Sequence, residues 1–270
     1  MVSAIVGVSS VQAADLPVRA YTKAPVVEVA PSWSGFYVGA TVGGAWSKVD
    51  PTFSDPGNVA FPICGPCNGP FDTTTIDQTG RGVIGGAHAG YNWQFSPNFL
   101  LGIEGDFTGT NLRHRTDARL TSVGVVLPVS NLGYQTDINW LASIRGRLGY
   151  VNGNWMVYGT GGVAFAKFDF TGSESCDQPT CNPVFANSSI NKARTGWTAG
   201  AGTEWAFASG WRARAEYLYY EFDSTDTTST LFVNDGGAPF GCGAGLCNAV
   251  FSVGKIDIHT LRVGLSYAFR

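Results

Sequence analysis

Few side chains in this sequence are suited to chemistry. Three histidines, six cysteines and a set of evenly spaced arginines and acids make up the candidates. A nucleophilic hydrolase needs a nucleophile beside a base that a carboxylate orients. His88 lies at an inward position of an alternating run, and His114 opens a polar stretch. His259 shares the outward parity of Asp257 and Leu261, with no serine beside it. No catalytic residue and no cofactor are expected. Haem ligation from His114 and Tyr134 is weighed against ordinary loop residues, and the latter is preferred.

The cysteines fall in three close pairs, Cys64 with Cys67, Cys176 with Cys181 and Cys242 with Cys247. Six cysteines admit fifteen connectivities, of which pairing within each couple is the simplest. An exported chain would form these disulfides in an oxidising compartment. Zinc needs four converging ligands, and no pair has a histidine or a second Cys-x-x-Cys nearby, so no metal site is expected. A redox role for Cys64-Gly-Pro-Cys67 lacks the βαβ setting such motifs use.

The third group is the most ordered. Glu104, Asp106, Glu204 and Glu216, with Arg145, Arg147, Arg212, Arg214 and Arg262, all fall on the polar side of alternating runs. Such a set, brought together, is a paired charge network. Buried charge is tolerated only when paired and hydrogen-bonded, and the planar guanidinium can serve several carboxylates at once. Two roles follow for it: a structural plug, which we favour, or a narrow path for small ions.

The elements that must position these residues are strands. In 211–220, Trp211, Ala213, Ala215, Tyr217 and Tyr219 alternate with Arg212, Arg214, Glu216, Leu218 and Tyr220. In 138–150, Ile138, Trp140, Ala142, Ile144, Gly146, Leu148 and Tyr150 form the outward set, opposite Asn139, Leu141, Ser143, Arg145, Arg147 and Gly149. Eight such runs occur, near 36–47, 81–95, 99–113, 136–150, 155–170, 194–207, 211–225 and 255–269. Their lengths suit tilted membrane-spanning strands. Short turns at 96–98, 152–154 and 208–210 alternate with long irregular loops near 48–80, 114–135, 171–193 and 226–254. That alternation predicts an all-β, eight-stranded antiparallel up-and-down transmembrane barrel with short periplasmic turns and four long extracellular loops.

Composition agrees. Charged residues make up 14% of the 270 residues, and there are 36 glycines. The net charge of −3 gives no argument for nucleic acid. No run reaches the length of a membrane-spanning helix, which leaves a strand-built membrane protein open. Aromatic residues cluster beside the short turns: Trp93, Phe95, Phe99, Tyr150, Trp155, Trp205, Phe207, Trp211 and Phe269. They are expected to form a girdle at one membrane interface. Residues 1–13 read as the remnant of a secretory signal peptide, with Val11-Gln12-Ala13 as a cleavage site. Residues 14–35 read as a Pro/Val-rich linker and 36–270 as the barrel. The cluster Arg113, His114, Arg115 and Arg119 is a candidate contact for lipopolysaccharide phosphates, with a solvated loop base as the preferred reading.

The segments PSWSGFYVGATVGGAWS (31–47), GYNWQFSPNFLLGIEGDF (90–107), NWLASIRGRLGYVNGNWMVYGTGGVAFA (139–166), GWTAGAGTEWAFASGWRARAEYLYYEF (196–222) and LRVGLSYAFR (261–270) resemble the small outer-membrane β-barrel porin family of alphaproteobacteria. The resemblance covers the strands and leaves the loops aside. It implies a barrel similar to the transmembrane domain of outer membrane protein A, in the cell outer membrane among lipid and lipopolysaccharide. It also implies a structural or surface-antigen role in the envelope; some relatives are described as porins or haemin binders. Its C-terminal strand would be read by the barrel assembly machinery. Arg270 after Phe269 departs from the family's aromatic terminus, and the three cysteine pairs exceed its usual number. A narrow, low-conductance porin is the alternative, and a lipid-modifying enzyme the third reading.

Overall fold

The structure is a computed structural model. It describes residues 32–54, 74–75, 78–122, 125–176, 184–230, 232–233, 238–239, 241–242, 245–246 and 248–269. The signal and most of the linker reading, residues 1–31, lie outside the described residues, as do Cys64, Cys67, Cys181 and Cys247. Cys176 and Cys242 are described by backbone alone.

Eight long strands carry the fold: β1 (Gly35–Val49), β2 (Gln78–Ser96), β3 (Phe99–Ser122), β4 (Val125–Asn152), β5 (Trp155–Cys176), β6 (Val184–Ala208), β7 (Trp211–Phe222) and β8 (Ile256–Ala268). Each pairs antiparallel with its sequence neighbours, and β1 pairs β8 from Tyr37 opposite Ala268 to Val49 opposite Ile256. The ladder is a closed ring over the stretch that all eight strands share, so no strand has a free edge there. Phe269 N–H donates to the Phe36 carbonyl at 2.9 Å, continuing the seam by one rung.

Three tight turns join the strands at one end, at 97–98, 153–154 and 209–210. Gly153 (φ 58°) and Gly210 (φ 79°) occupy the left-handed region that a side chain resists. At the other end the structure corrects the sequence reading. The stretches 114–135 and 171–193, expected as irregular loops, belong largely to the ladder. Arg119 pairs Asn131, and Ser175 pairs Phe185. The fourth long connection is also paired: Thr225–Thr230 lies against Asn248–Val253, which lies against Thr52–Ser54.

The cause is an inversion of polarity along the barrel. In the lower part, outward positions are apolar, as in Val42, Val83, Ile103, Ile144, Leu148 and Val263, all exposed. Inward positions behind that band are largely polar or charged, as in Glu104, Ser143, Arg145, Glu204 and Arg214. Toward the long-loop end, inward positions become apolar: Leu112, Tyr134, Ile138, Phe168, Phe170, Phe222 and Ile258 are buried. Outward positions there are Arg113, Arg115, Gln135 and Asn139, all exposed. The strand outlasts its apolar outer face, so a reading that followed outward hydropathy stopped too soon.

Ile138 is a second correction. Expected outward, it is 1% exposed. The register shifts on both sides of it, between Gly109 and Leu112 on β3 and between Ile138 and Trp140 on β4. This bulge leaves Asn139 out of the backbone ladder with β5 and turns Ile138 inward.

Inward glycines let neighbouring strands and long side chains approach. A Cβ on Gly162 would run into the Ile144 carbonyl oxygen and lie 2.7 Å from Arg145 Cα, whereas one on outward Gly159 meets nothing within 4 Å. Gly162→Ala is therefore expected to destabilise the barrel by about 1–3 kcal/mol. Gly159→Ala should stay within about 0.5 kcal/mol. Urea midpoints of refolded protein, read by the different gel mobility of unboiled and boiled samples, check the pair.

Candidate functional site: a charged lumen

β3, β4, β6, β7 and β8 bring the inward acids and arginines together. Glu104 on β3 is the hub. It accepts from Arg145 Nη2 at 2.5 Å, Arg214 Nη1 at 3.0 Å and Arg147 Nη1 at 3.2 Å, and from the Tyr37 hydroxyl at 2.7 Å. Glu216 on β7 is a second centre. Arg262 Nε reaches it at 2.7 Å, Arg145 Nη1 and Arg214 Nη2 at 3.1 Å each, and the Tyr158 hydroxyl at 2.9 Å. Glu204 takes Arg147 Nη2 at 2.6 Å. Asp106 takes Arg262 Nη1 at 3.1 Å and Arg145 Nη2 at 3.2 Å, with Ser143 as a further donor. All eight charged groups are buried. The Arg147 guanidinium also lies over the Tyr158 ring at 4.0 Å.

Arg212 stands apart from these acids. It points to the short-turn end, where its guanidinium lies 4.5 Å from the Trp33 ring and donates to the Ser32 carbonyl at 3.1 Å. Trp33 is fully buried among Leu100, Val151, Met156, Tyr158 and Ala206, and its indole N–H donates to the Gly153 carbonyl at 3.2 Å. Trp33 falls within the stretch read as linker, and it closes the lower mouth of the lumen. The apolar layer of Phe168, Phe170, Phe222 and Ile258 lies above the charges. Sequence reasoning missed Trp33 because alternation begins only after it. A large apolar residue directly before the first strand was the available signal.

The histidines separate by parity. His88 Nε2 lies 2.8 Å from Ser266 Oγ, and His114 Nε2 lies 2.8 Å from Ser47 Oγ, both inside the barrel. These are serine–histidine contacts that the sequence did not reveal. His88 Nδ1 has no hydrogen-bond partner among the described residues, so no carboxylate orients it. His114 Nδ1 faces the Thr136 carbonyl at 3.3 Å. Burial lowers the His114 pKa below its ordinary value. His114 therefore leaves the expected basic cluster: Arg113 and Arg115 point outward, and His114 points in. Tyr134 is buried as well, which removes both candidate haem ligands from the surface.

Outside, the nine aromatics beside the short turns are all exposed. Several touch in sequence around the rim, as Phe95 with Phe99, Phe99 with Tyr150, and Trp155 with Trp205. A second aromatic band, not anticipated, lies where outward polarity begins. Trp46 stacks on His259 at 5.7 Å, Phe107 meets Trp140, and Trp197 meets Tyr219. The Tyr217 hydroxyl is 2.7 Å from His259 Nδ1.

A closed antiparallel ring with an apolar outer band, aromatics at both edges of that band and paired charge within is an integral outer-membrane β-barrel. Residues 1–269 match the Outer membrane protein beta-barrel domain, and the chain belongs to that family. It is 31% identical over 272 residues to the 31 kDa outer-membrane immunogenic protein of Brucella melitensis, covering 97% of this chain and 94% of that protein. It is 28% identical to a 22 kDa outer membrane protein of Rhizobium leguminosarum, covering 74% and 69% of the two chains. Among solved structures it is similar to the outer membrane protein OprG of Pseudomonas aeruginosa, at 14% identity and a TM-score of 0.41, covering 88% and 97%.

Removing the hub acid leaves three buried arginines short of charge. Glu104→Ala is expected to cost about 3–5 kcal/mol, the usual penalty for breaking a buried pair from one side. Glu204→Ala, which releases one close partner, should cost less. Equilibrium unfolding of both variants in lipid vesicles checks the order, and equal midpoints would contradict the hub assignment.

Proposed function

We propose that this protein is a structural component of the cell surface, a sealed barrel that anchors paired extracellular extensions in the outer membrane. The observation that carries this reading is the continuous filling of the lumen. Trp33 lies at the lower mouth, four acids interlock with four arginines in the middle, and aromatic and aliphatic side chains pack above. Eight strands give an interior that side chains can fill. A path for ions would need several buried ion pairs to part together, each leaving uncompensated charge.

The extensions beyond the outer aromatic band carry charged and polar groups into the medium. The name of the Brucella relative, an immunogenic protein, supports a surface-antigen role for such extensions. The partners we infer are outer-membrane lipid and lipopolysaccharide around the barrel, and the assembly machinery acting on β8. No catalytic role is assigned to the two buried serine–histidine contacts. Each reaches over a glycine of the intervening strand, His88 over Gly39 and His114 over Gly80, inside the filled lumen, with no carboxylate to orient His88.

Planar-bilayer recording of the refolded protein tests the seal. Silence at all applied voltages is expected. Discrete, reproducible openings would sink the sealed-barrel reading and favour a narrow, low-conductance porin.

A further inference from the structure

The outer surface of the barrel is electrostatically lopsided just above the outer aromatic band. On β1–β3, Lys48, Arg81, Arg113 and Arg115 all point outward and are exposed. Arg81 is directly opposite Trp46 across the β1–β2 ladder. Added Cβ atoms on its neighbours Gly80 and Gly82 would meet His114 and Leu112, which brackets Arg81 beside Arg113 on β3. Among the described residues, Arg81, Arg113 and Arg115 make no ion pair. Lys48 is bridged to Asp50 at 3.3 Å. A cleft of about 690 Å³ opens at this level, with Trp46, Lys48, Thr79, Arg81 and His259 in its wall.

On β7 and β8 the same collar carries acids that already have partners. Glu221 is held by Lys255 at 3.0 Å and by the Tyr219 hydroxyl at 2.9 Å, and Asp257 takes that hydroxyl at 2.9 Å. On β4 and β5, Gln135 donates to Asp137 at 2.9 Å, and Asn139 donates to Asp169. These acids are engaged locally, whereas Arg81, Arg113 and Arg115 form no ion pair among the described residues, although Arg113 lies directly opposite Asp137 across the β3–β4 ladder.

Below that arc an apolar trough of about 910 Å³ crosses β1–β4, with Ala40, Ala87, Ala89, Gly105 and Ala142 in its lining beside larger side chains of β3–β5 and β8, Phe107, Ile144, Phe165 and Leu265. Down the outer face of β2 the residues run Arg81, Val83, Gly85, Ala87 and Ala89. From Arg81 to Ala87, where the trough begins, the strand covers about 20 Å at a rise near 3.3 Å per residue, past Val83 and Gly85.

We propose that this face is a binding site for a phosphorylated glycolipid of the outer leaflet. Arg81, Arg113 and Arg115, with Lys48 at the edge, would take the phosphates. The Trp46–His259 stack would meet the sugar, and the trough below would seat acyl chains. Arginine forks match phosphate oxygens, and stacked rings suit the headgroup level of a membrane. Basic groups and trough share one face of the barrel, so a single amphiphile carrying phosphate above and hydrocarbon below satisfies both. The assignment rests on the outer-membrane placement and is independent of whether the lumen is sealed.

The test uses full-length protein refolded in detergent micelles, with bisphosphorylated lipid A as probe. Native mass spectrometry counts retained lipid over a titration. Wild type should retain lipid A at least ten-fold more strongly than its dephosphorylated form or phosphatidylglycerol. The triple variant Arg81→Ala, Arg113→Ala, Arg115→Ala should lose that preference, because its three side chains are exposed and outside the folding core. Ala87→Trp, which fills the trough and leaves every charge in place, should weaken retention by a similar factor. Unboiled gel mobility confirms that each variant is folded. Equal retention of phosphatidylglycerol, or a triple variant that binds like wild type, overturns the glycolipid assignment. Unchanged binding by Ala87→Trp overturns the role of the trough. Bilayer conductance of the same samples reads the lumen separately, so failure of the seal and failure of the lipid site are distinguishable.

Discussion

Inside hydrocarbon, a backbone amide has no water to turn to, and every other feature of this protein depends on how that requirement is met. The ring meets it by pairing β1 with β8, so each strand has a neighbour on both sides. Closure then divides the side chains into two populations with period two. One faces lipid and is apolar; the other faces a lumen only wide enough for side chains. Glycine enters where the inner wall must admit a neighbouring strand or a long arm, as at Gly39 beside the His88 ring and Gly202 beside the Tyr158 hydroxyl.

Four of the five inward arginines are matched to the four inward acids. Glu104, Asp106, Glu204 and Glu216 face Arg145, Arg147, Arg214 and Arg262. The fifth arginine, Arg212, serves the Trp33 stopper through its ring face and the Ser32 carbonyl. Such a network gives weak evidence of net stabilisation, because desolvation offsets much of the attraction. Its stronger effect is on register. Glu104 meets three arginines from β4 and β7, and sliding either strand by one residue would turn the corresponding arginines toward lipid. The dry layers above and below raise the cost of parting any pair by excluding water.

The membrane-spanning part of this fold was legible because lipid enforces strict alternation. Eight runs, three tight turns and the inward parity of the charged residues all follow from reading every second residue. What was not legible has a common physical source. Beyond the outer aromatic band the solvent changes from lipid to water, and the barrel turns its polarity inside out. Phe168 and Phe222 pack inward at 5.1 Å, while Asp169 and Glu221, their sequence neighbours, point outward. Alternation persists there with its sign reversed, and a reading tuned to apolar outward faces takes it for loop. The same reversal moved His114 inside and left Arg113 and Arg115 outside. The bulge at Asn139 hid Ile138 for a different reason, since one unpaired residue shifts parity without a strong signature in composition. Trp33 was missed because a lone residue has no period.

The level at which polarity inverts also fixes where the membrane surface must lie. Trp46, Trp140, Trp197 and Tyr217 sit at the last apolar outward rungs, and Lys48, Arg81, Asn139 and Lys167 sit at or just beyond the first polar ones. A chain with so few charges has placed nearly all of those described either inside the lumen or on this collar. Lumen charges are neutralised within the protein. Collar acids on β4, β5, β7 and β8 are hydrogen-bonded there, by Gln135, Asn139 and Tyr219, and Glu221 is paired with Lys255. What remains close together without an ion pair among the described residues is Arg81 on β2 with Arg113 and Arg115 on β3. Charge is largely satisfied within this barrel, and the proposed lipid site lies where three neighbouring arginines depart from that pattern.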